Sequence, residues 1–242
     1  MNRILIIKLG SIGDVVHTLS SVATLRQSFP KAEIDWLVEK KSSAVLKCYP
    51  YLNQVIEIDT QKWRRSLWYW KSYKEFWSCL TKLRDRKYDV AFDFQGLWKS
   101  AFFGFLSGTR NLVGFNKNYL KEPSCRIFYT NKVVPEKKLL HIIEINEELV
   151  RSQGATISLS KPVELKVLEK EKVYVDKLLE QYQLKDFIIL NPGGGWTTKK
   201  WEAKNYGLLH SKIKNLIGIP TVFTWGPGEE KLIQEVQSAS NG

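Results

Sequence analysis

The chain has 242 residues, 43% of them hydrophobic and 12% aromatic, which excludes a disordered polypeptide and suffices for one large domain or two modest ones. Cys48, Cys79 and Cys125 lie far apart without CxxC spacing, and His17, His141 and His210 pair with no second ligand, so neither a disulfide framework nor a metal site is expected. The net charge of +12 is uneven: residues 1–160 hold 25 basic and 15 acidic side chains, residues 161–242 hold 12 and 10, and residues 61–87 hold nine and two. A basic field on the first part points to an anionic partner (nucleic acid, acidic lipid or acidic glycan) or to a merely solubilising surface.

No run of about 18 apolar residues occurs, so no membrane-spanning helix is expected. Met1 to Leu9 is too short for a signal peptide and runs into a glycine-bearing turn, so Arg3–Lys8 reads as a buried first strand. Helical spacing of Val15, Leu19, Val22 and Leu25 predicts one helix over 15–28, closed by Pro30. Strands follow at Glu33–Val38 and Val55–Ile58, a helix at Trp68–Arg86, a strand at Tyr88–Phe92, a helix at Leu97–Leu106, a short strand at Leu112–Phe115 and a helix at Leu139–Ser152. The pattern then restarts, with helix Lys170–Tyr182, strand Asp186–Leu190, the turn Asn191–Gly195, helix Tyr206–Leu216, strand Thr221–Phe223 and a helix from Lys231. Alternating strands and helices imply parallel sheets with covering helices, and the polar stretch 153–162 separates two such series. The expected fold is α/β, with two Rossmann-like domains over 1–157 and 158–242 facing a cleft. The second is short for a doubly wound domain and is expected to be incomplete, as in a fragment of a longer protein.

The turn Leu9–Asp14 leaves a buried strand and puts Asp14 near a helix N-terminus at the ligand-binding edge of the sheet, either as a helix cap or as a chemical group. The run Lys8–Leu19 (KLGSIGDVVHTL) is followed in order by Asp35–Glu39 (DWLVE), Trp63–Arg65 (WRR), Asp93–Ala101 (DFQGLWKSA), Lys121–Pro123 (KEP), His141–Glu144 (HIIE), Asn191–Gly195 (NPGGG), Lys199–Trp201 (KKW) and Trp225–Glu230 (WGPGEE). In this order the segments resemble the bacterial lipopolysaccharide heptosyltransferases, and among them the type I enzymes, over essentially the whole chain. Departures are Ser20 where proline is common, Lys121 where arginine is usual, and Gly194 and Gly195 where hydroxyl residues often stand. Nothing matches the D-[ST]-G-x-x-H segment with which family members complete the donor pocket.

The resemblance implies a GT-B glycosyltransferase that moves L-glycero-D-manno-heptose, with inversion, from ADP-heptose to the Kdo sugar of Kdo-lipid A, without a cofactor. It also implies a cytoplasmic protein held peripherally on the inner membrane, with no nucleic-acid partner. Inversion needs one base to deprotonate the acceptor hydroxyl, and Asp14 is its candidate. Lys62, Arg64, Arg65, Gln95 and Lys121 are expected on the acceptor side, where Kdo brings a carboxylate and lipid A brings phosphates. Lys199 and the N–H groups of Gly193, Gly194 and Gly195 are expected at the leaving diphosphate, and Glu230, or Glu229, at the ribose. Asp93 is expected to support the site, and His141 with Glu144 to open a helix. The aromatic cluster Trp63, Trp68, Tyr69, Trp70, Phe76 and Trp77, interleaved with basic residues, suits either a bilayer interface or a core-facing stripe. Competing readings are a nucleic-acid-binding protein, a non-catalytic remnant that binds acidic lipid, and a related transferase with another nucleotide sugar.

Overall fold

In chain order, a first series of elements comprises β1 (Arg3–Ile7), α1 (Ile12–Val16), α2 (Leu19–Ser28), β2 (Glu33–Glu39), α3 (Ala44–Lys47), β3 (Gln54–Ile58), α4 (Thr60–Arg65), α5 (Trp70–Asp85), β4 (Val90–Asp93), α6 (Trp98–Leu106), β5 (Leu112–Phe115), β6 (Asn131–Val133) and α7 (Ile142–Arg151). They come from a computed structural model that describes residues 1–65, 70–136, 141–156, 165–195, 198 and 200–240, with backbone alone at 64, 65 and 71. The six strands form one parallel sheet in the order β3-β2-β1-β4-β5-β6. The central strands β1, β2, β4 and β5 are buried almost throughout, as unbroken apolar runs such as RILII and LVGF require when helices cover both sheet faces. β6 reads NKV and is largely exposed, so it carries no apolar signature and escapes sequence reading.

The predicted helix over 15–28 is in fact two. Thr18 Oγ1 donates to the Asp14 carbonyl at 3.0 Å, and Asn146 Nδ2 of α7 donates to the His17 carbonyl and to Thr18 Oγ1, both at 3.3 Å. These bonds hold a break between α1 and α2 while Val15, Leu19, Val22 and Leu25 all stay in the core, so the apolar spacing runs straight across it. The predicted 68–86 helix corresponds to α5; residues 66–69 lie outside the described residues. His141 caps α7, with Glu144 accepting the His141 N–H at 2.8 Å, so this pair is the helix start that its spacing suggested.

The first sheet buries charged side chains. Asp35 on β2 is wholly inaccessible, and it accepts from Arg86 Nε at 2.8 Å, Arg86 Nη2 at 3.2 Å and the Tyr88 hydroxyl at 2.8 Å. The hydrogen bonds to Asp35 raise the Arg86 pKa above its ordinary value. Such a pair is costly to break from one side, because the remaining carboxylate has no water to turn to.

The chain divides into two compact units, Met1–Val167 and Leu168–Gly242. The junction lies beyond the 157/158 position expected from composition; the Lys166 N–H donates to the Cys48 carbonyl at 2.7 Å, so this stretch goes with the first unit. The second unit contains α8 (Glu169–Gln181), β7 (Ile188–Leu190), α9 (Ala203–Leu216), β8 (Thr221–Phe223) and α10 (Glu230–Ala239). Among its described residues β7 and β8 form a parallel pair. α9 and α10 cross at Gly207, where a Cβ would stand 2.6 Å from the Val236 carbonyl, so this crossing requires glycine. Arg86→Met is expected to lower stability by about 3 kcal/mol, read from the midpoint of urea unfolding; an unchanged midpoint would show that Tyr88 alone suffices for Asp35.

Candidate functional site

In an open parallel sheet, ligands bind beyond the strand C-termini where neighbouring strands send their connections to opposite sides. Here that point lies between β1 and β4, since the chain builds β2 and β3 on one side of β1, then returns to build β5 and β6 on the far side of β4. The loops leaving β1 and β4 are Lys8–Ser11 and Phe94–Leu97, two of the segments singled out by sequence. Ser11 is the N-cap of α1 and Asp14 its third residue, forming a capping box. Asp14 Oδ2 accepts from the Ser11 N–H at 3.2 Å and from Ser11 Oγ at 3.0 Å. Asp14 is therefore a helix cap and, at the same time, a half-exposed carboxylate at the switch point. Burial pushes its pKa up, but the Lys8 ammonium, the Ser11 bonds and the Lys121 charge outweigh this and hold it below 3.8.

Lys8 itself is buried, with Nζ 2.7 Å from the Phe94 carbonyl, and burial lowers its pKa against the pull of Asp14 and Asp93. Gln95 Oε1 accepts the Leu9 N–H at 3.2 Å. A Cβ on Gly10 would stand 2.5 Å from Asp14 Oδ2 and 3.0 Å from Gln95 Oε1, which puts both oxygens around one glycine. Asp93 is fully buried and accepts from the Gln95 N–H at 2.8 Å, the Gly96 N–H at 3.3 Å, Ser100 Oγ at 2.9 Å and the Tyr129 hydroxyl at 2.7 Å. Desolvation raises its pKa against these bonds, and its place beneath the turn makes it a support. Gly96 has φ +67°, and a Cβ there would meet Leu120 Cδ2 at 2.9 Å, so the 96 turn and the Lys121 loop touch through a missing side chain. Lys121 is exposed and close enough to act on both Asp14 and Lys8.

A cavity of about 190 Å³ opens beside this turn, lined by Gly10, Ser11, Glu39, Thr60, Gln95 and Lys99 among others. Glu39, buried at the end of β2, accepts from Lys99 Nζ at 2.6 Å and from the Thr60 N–H at 3.2 Å; Thr60 Oγ1 donates to the same carboxylate. Glu39, Thr60 and Lys99 were not singled out by sequence, although Glu39 and Lys99 lie inside quoted segments; their pairing spans 60 residues and leaves no local trace. Lys62 stands elsewhere, in a larger cavity of about 650 Å³ with Lys40, Lys74 and Lys82, and its Nζ is 2.6 Å from Glu75 Oε1. The side chains of Arg64 and Arg65, with Trp68 and Tyr69, lie outside the described residues.

In the second unit, the turns after β7 and β8 are neighbours because Leu190 pairs with Phe223. Asn191 Oδ1 accepts the Gly193 N–H at 3.0 Å. It is Glu229, not Glu230, that reaches the glycine turn: its Oε1 accepts the Gly194 N–H at 3.2 Å and its Oε2 the Gly226 N–H at 2.9 Å. Glu230 accepts locally, from the Gly228 N–H at 3.2 Å. The Gly226 bond, with the Gly194 bond and Lys200, holds the Glu229 pKa low. Lys199 lies outside the described residues. No group of three or more His, Cys, Asp or Glu able to hold a metal occurs among the described residues.

Residues 76–241 match glycosyltransferase family 9 (heptosyltransferase). The chain belongs to glycosyltransferase family 9. Lipopolysaccharide heptosyltransferase 1 of Pseudomonas aeruginosa is 27% identical over 95% of the chain and 62% of its own length. The Escherichia coli K12 protein of that name is 30% identical over 66% of the chain and 49% of its own length. The chain thus spans about half to just under two thirds of these relatives. Among solved structures, E. coli heptosyltransferase WaaC with ADP-2-deoxy-2-fluoro heptose superposes with TM-score 0.78 at 22% identity, covering 99% of the chain and 74% of that structure. E. coli ADP-heptose lps heptosyltransferase II gives 0.74 at 22%, covering 99% and 69%. The family 9 chain therefore has the α/β fold of the GT-B heptosyltransferases. Replacing Lys8 by Met removes the cation that most lowers the Asp14 pKa, so the Asp14 titration midpoint should rise, as followed by carboxyl NMR; an unmoved midpoint would show that Lys8 does not act on Asp14.

Proposed function

We propose that the family 9 chain takes part in inverting heptosyl transfer from ADP-heptose to the Kdo of Kdo-lipid A. The observation that carries the reading is the Asp14 carboxylate, kept ionised beside Lys8 and gathered with Gln95 around Gly10 at the sheet switch point. In this reading the acceptor hydroxyl gives its proton to Asp14, its oxygen bonds the anomeric carbon, and the bond to the diphosphate breaks on the opposite face. ADP leaves with the electron pair, and the glycine N–H groups of 193–195 with Lys199 meet its charge. Glu229 or Glu230 is the candidate for the ribose. The E. coli structures that hold ADP and ADP-2-deoxy-2-fluoro heptose support an ADP-sugar donor, and the names of the relatives support lipopolysaccharide as destination.

The acceptor side is assigned to Gln95, Lys121, Lys62, Arg64 and Arg65, and the protein to the cytoplasmic face of the inner membrane as a peripheral enzyme. Among the described residues no helix is long and apolar enough to cross a membrane. Support for surface attachment comes from α5, where Trp70, Tyr73 and Trp77 are 70%, 54% and 46% exposed and the Lys74 ammonium lies 5.6 Å from the Trp70 ring centre. An apolar ring row with a cation beside it is the composition of a helix that rests at a headgroup boundary. Trp63 and Phe76 instead pack against the core.

Asp14→Asn should lower kcat by about 10²–10⁴-fold with the fold intact by circular dichroism; near-normal turnover would end the base assignment. A base works only when unprotonated, and Lys8 and the Ser11 bonds hold the Asp14 pKa below the ordinary carboxylate value, so kcat/KM should be flat toward acid from about pH 7 to pH 5 as far as this group is concerned. An acidic limb inside that window would assign the proton to a different residue. Replacing Arg64 and Arg65 together by Ala should raise the acceptor KM and leave the ADP-heptose KM nearly unchanged; unaltered acceptor kinetics would remove both from the acceptor side.

A further inference from the structure

We propose that Glu229 is a built-in anion that occupies the glycine turn of the second unit and has to be displaced by the diphosphate of the donor. The proposal rests on the donor reading given above and adds to it a residue that sets donor affinity.

The turns after β7 and β8 each lend one N–H to the same carboxylate, from Gly194 at 3.2 Å and from Gly226 at 2.9 Å. Lys200 Nζ completes the set at 3.7 Å from Oε1. Two glycine N–H groups and a lysine are the donors that a phosphate oxygen takes from a strand-to-helix turn. The carboxylate also fills the room that such an oxygen needs. A Cβ on Gly193 would fall 2.3 Å from Oε2 and 2.7 Å from Oε1, so the carboxylate sits in the hollow left by the absent side chain. A diphosphate oxygen and Glu229 cannot both accept the Gly194 N–H in this arrangement. Nor can Lys200 neutralise a diphosphate at full strength while it is paired with Glu229.

Displacement is feasible because the Glu229 side chain is partly exposed and hangs from the residue just before α10, where it turns toward water without disturbing β7 or β8. An occupied turn lowers apparent affinity by the fraction of molecules in which the carboxylate is out of the way. The alternative role is a clip that joins the two turns and holds them in shape for the ligand. The two roles predict opposite signs: removing a competitor tightens anion binding, whereas removing a clip weakens it.

The test is isothermal titration of inorganic pyrophosphate and of ADP, in metal-free buffer, into the full chain and into Glu229→Gln and Gly193→Ala. Gly193→Ala evicts the carboxylate by bulk and leaves its charge in the chain; the three atoms nearest the new methyl all belong to the end of the flexible Glu229 side chain, and the backbone there is outside the left-handed region. Both variants should bind pyrophosphate about tenfold more tightly than the parent. Pyrophosphate lacks a ribose, so a contact between Glu229 and the ribose does not enter this comparison. If the parent binds ADP but Glu229→Gln binds pyrophosphate equally or more weakly, Glu229 is a clip; the displacement proposal falls while the donor reading stands. If Glu229→Gln fails to fold, Gly193→Ala decides by the same criterion. If parent and variants bind neither ADP nor pyrophosphate, the donor reading falls, and this proposal with it.

Discussion

The Lys8 ammonium lies in the seam between β1 and β4, bonded to the Phe94 carbonyl, and the loops that carry Asp14 and Gln95 both begin beside it. The backbone at Lys8 is also tied to β2, through its N–H to the Leu37 carbonyl and through its carbonyl to the Trp36 indole N–H. A buried cation is tolerable only with counter-charge close by. Asp14 and Asp93 supply it, one half-exposed and one wholly buried. The three groups are mutually dependent. Lys8 keeps Asp14 ionised, the carboxylates make the Lys8 charge acceptable, and Asp93 rests on four hydrogen bonds that also shape the 95–96 turn.

The second unit handles negative charge differently. Its glycine turns offer N–H groups, and Glu229 of the same unit takes them up. In the first unit the carboxylate is held by its own helix cap and faces the switch point. In the second it stands where the chemistry of the turn would accept an outside anion. The same residue class thus caps a helix at the switch point in one unit and occupies a glycine turn in the other.

Much of this was legible from sequence where the physics is local. Apolar runs such as RILII and EIDWLV read as buried parallel strands, and the glycine-bearing turn directly after RILII marked the segment that leads to Asp14. Asp14, Gln95 and Lys121 come near one another because the segments that contain them leave neighbouring strands at the same sheet edge. What escaped notice depends on partners distant in sequence. The α1–α2 break is held by Asn146, and the Glu39–Lys99 pair forms only when β2 and α6 are in place. Which of Glu229 and Glu230 faces the glycine turn was not legible because neighbouring residues at a helix start differ only in direction; the Glu229 carboxylate fills the Gly193 hollow. β6 was missed because a strand at the rim, NKV, has no face that must be apolar.

The β1–β4 seam has a consequence for how the protein is made. Lys8 and Phe94 are 86 residues apart, so a ribosome working at about 5–20 residues per second separates their synthesis by roughly 4–17 s. Through that interval Ile4–Ile7 can pair with β2, but the side of β1 that β4 will cover stays an open apolar edge. The switch point thus closes only once β4 has been made, after β1, β2 and β3 and before β5, β6 and α7. A nascent chain stalled before β4 exposes a strand edge suited to aggregation or chaperone capture.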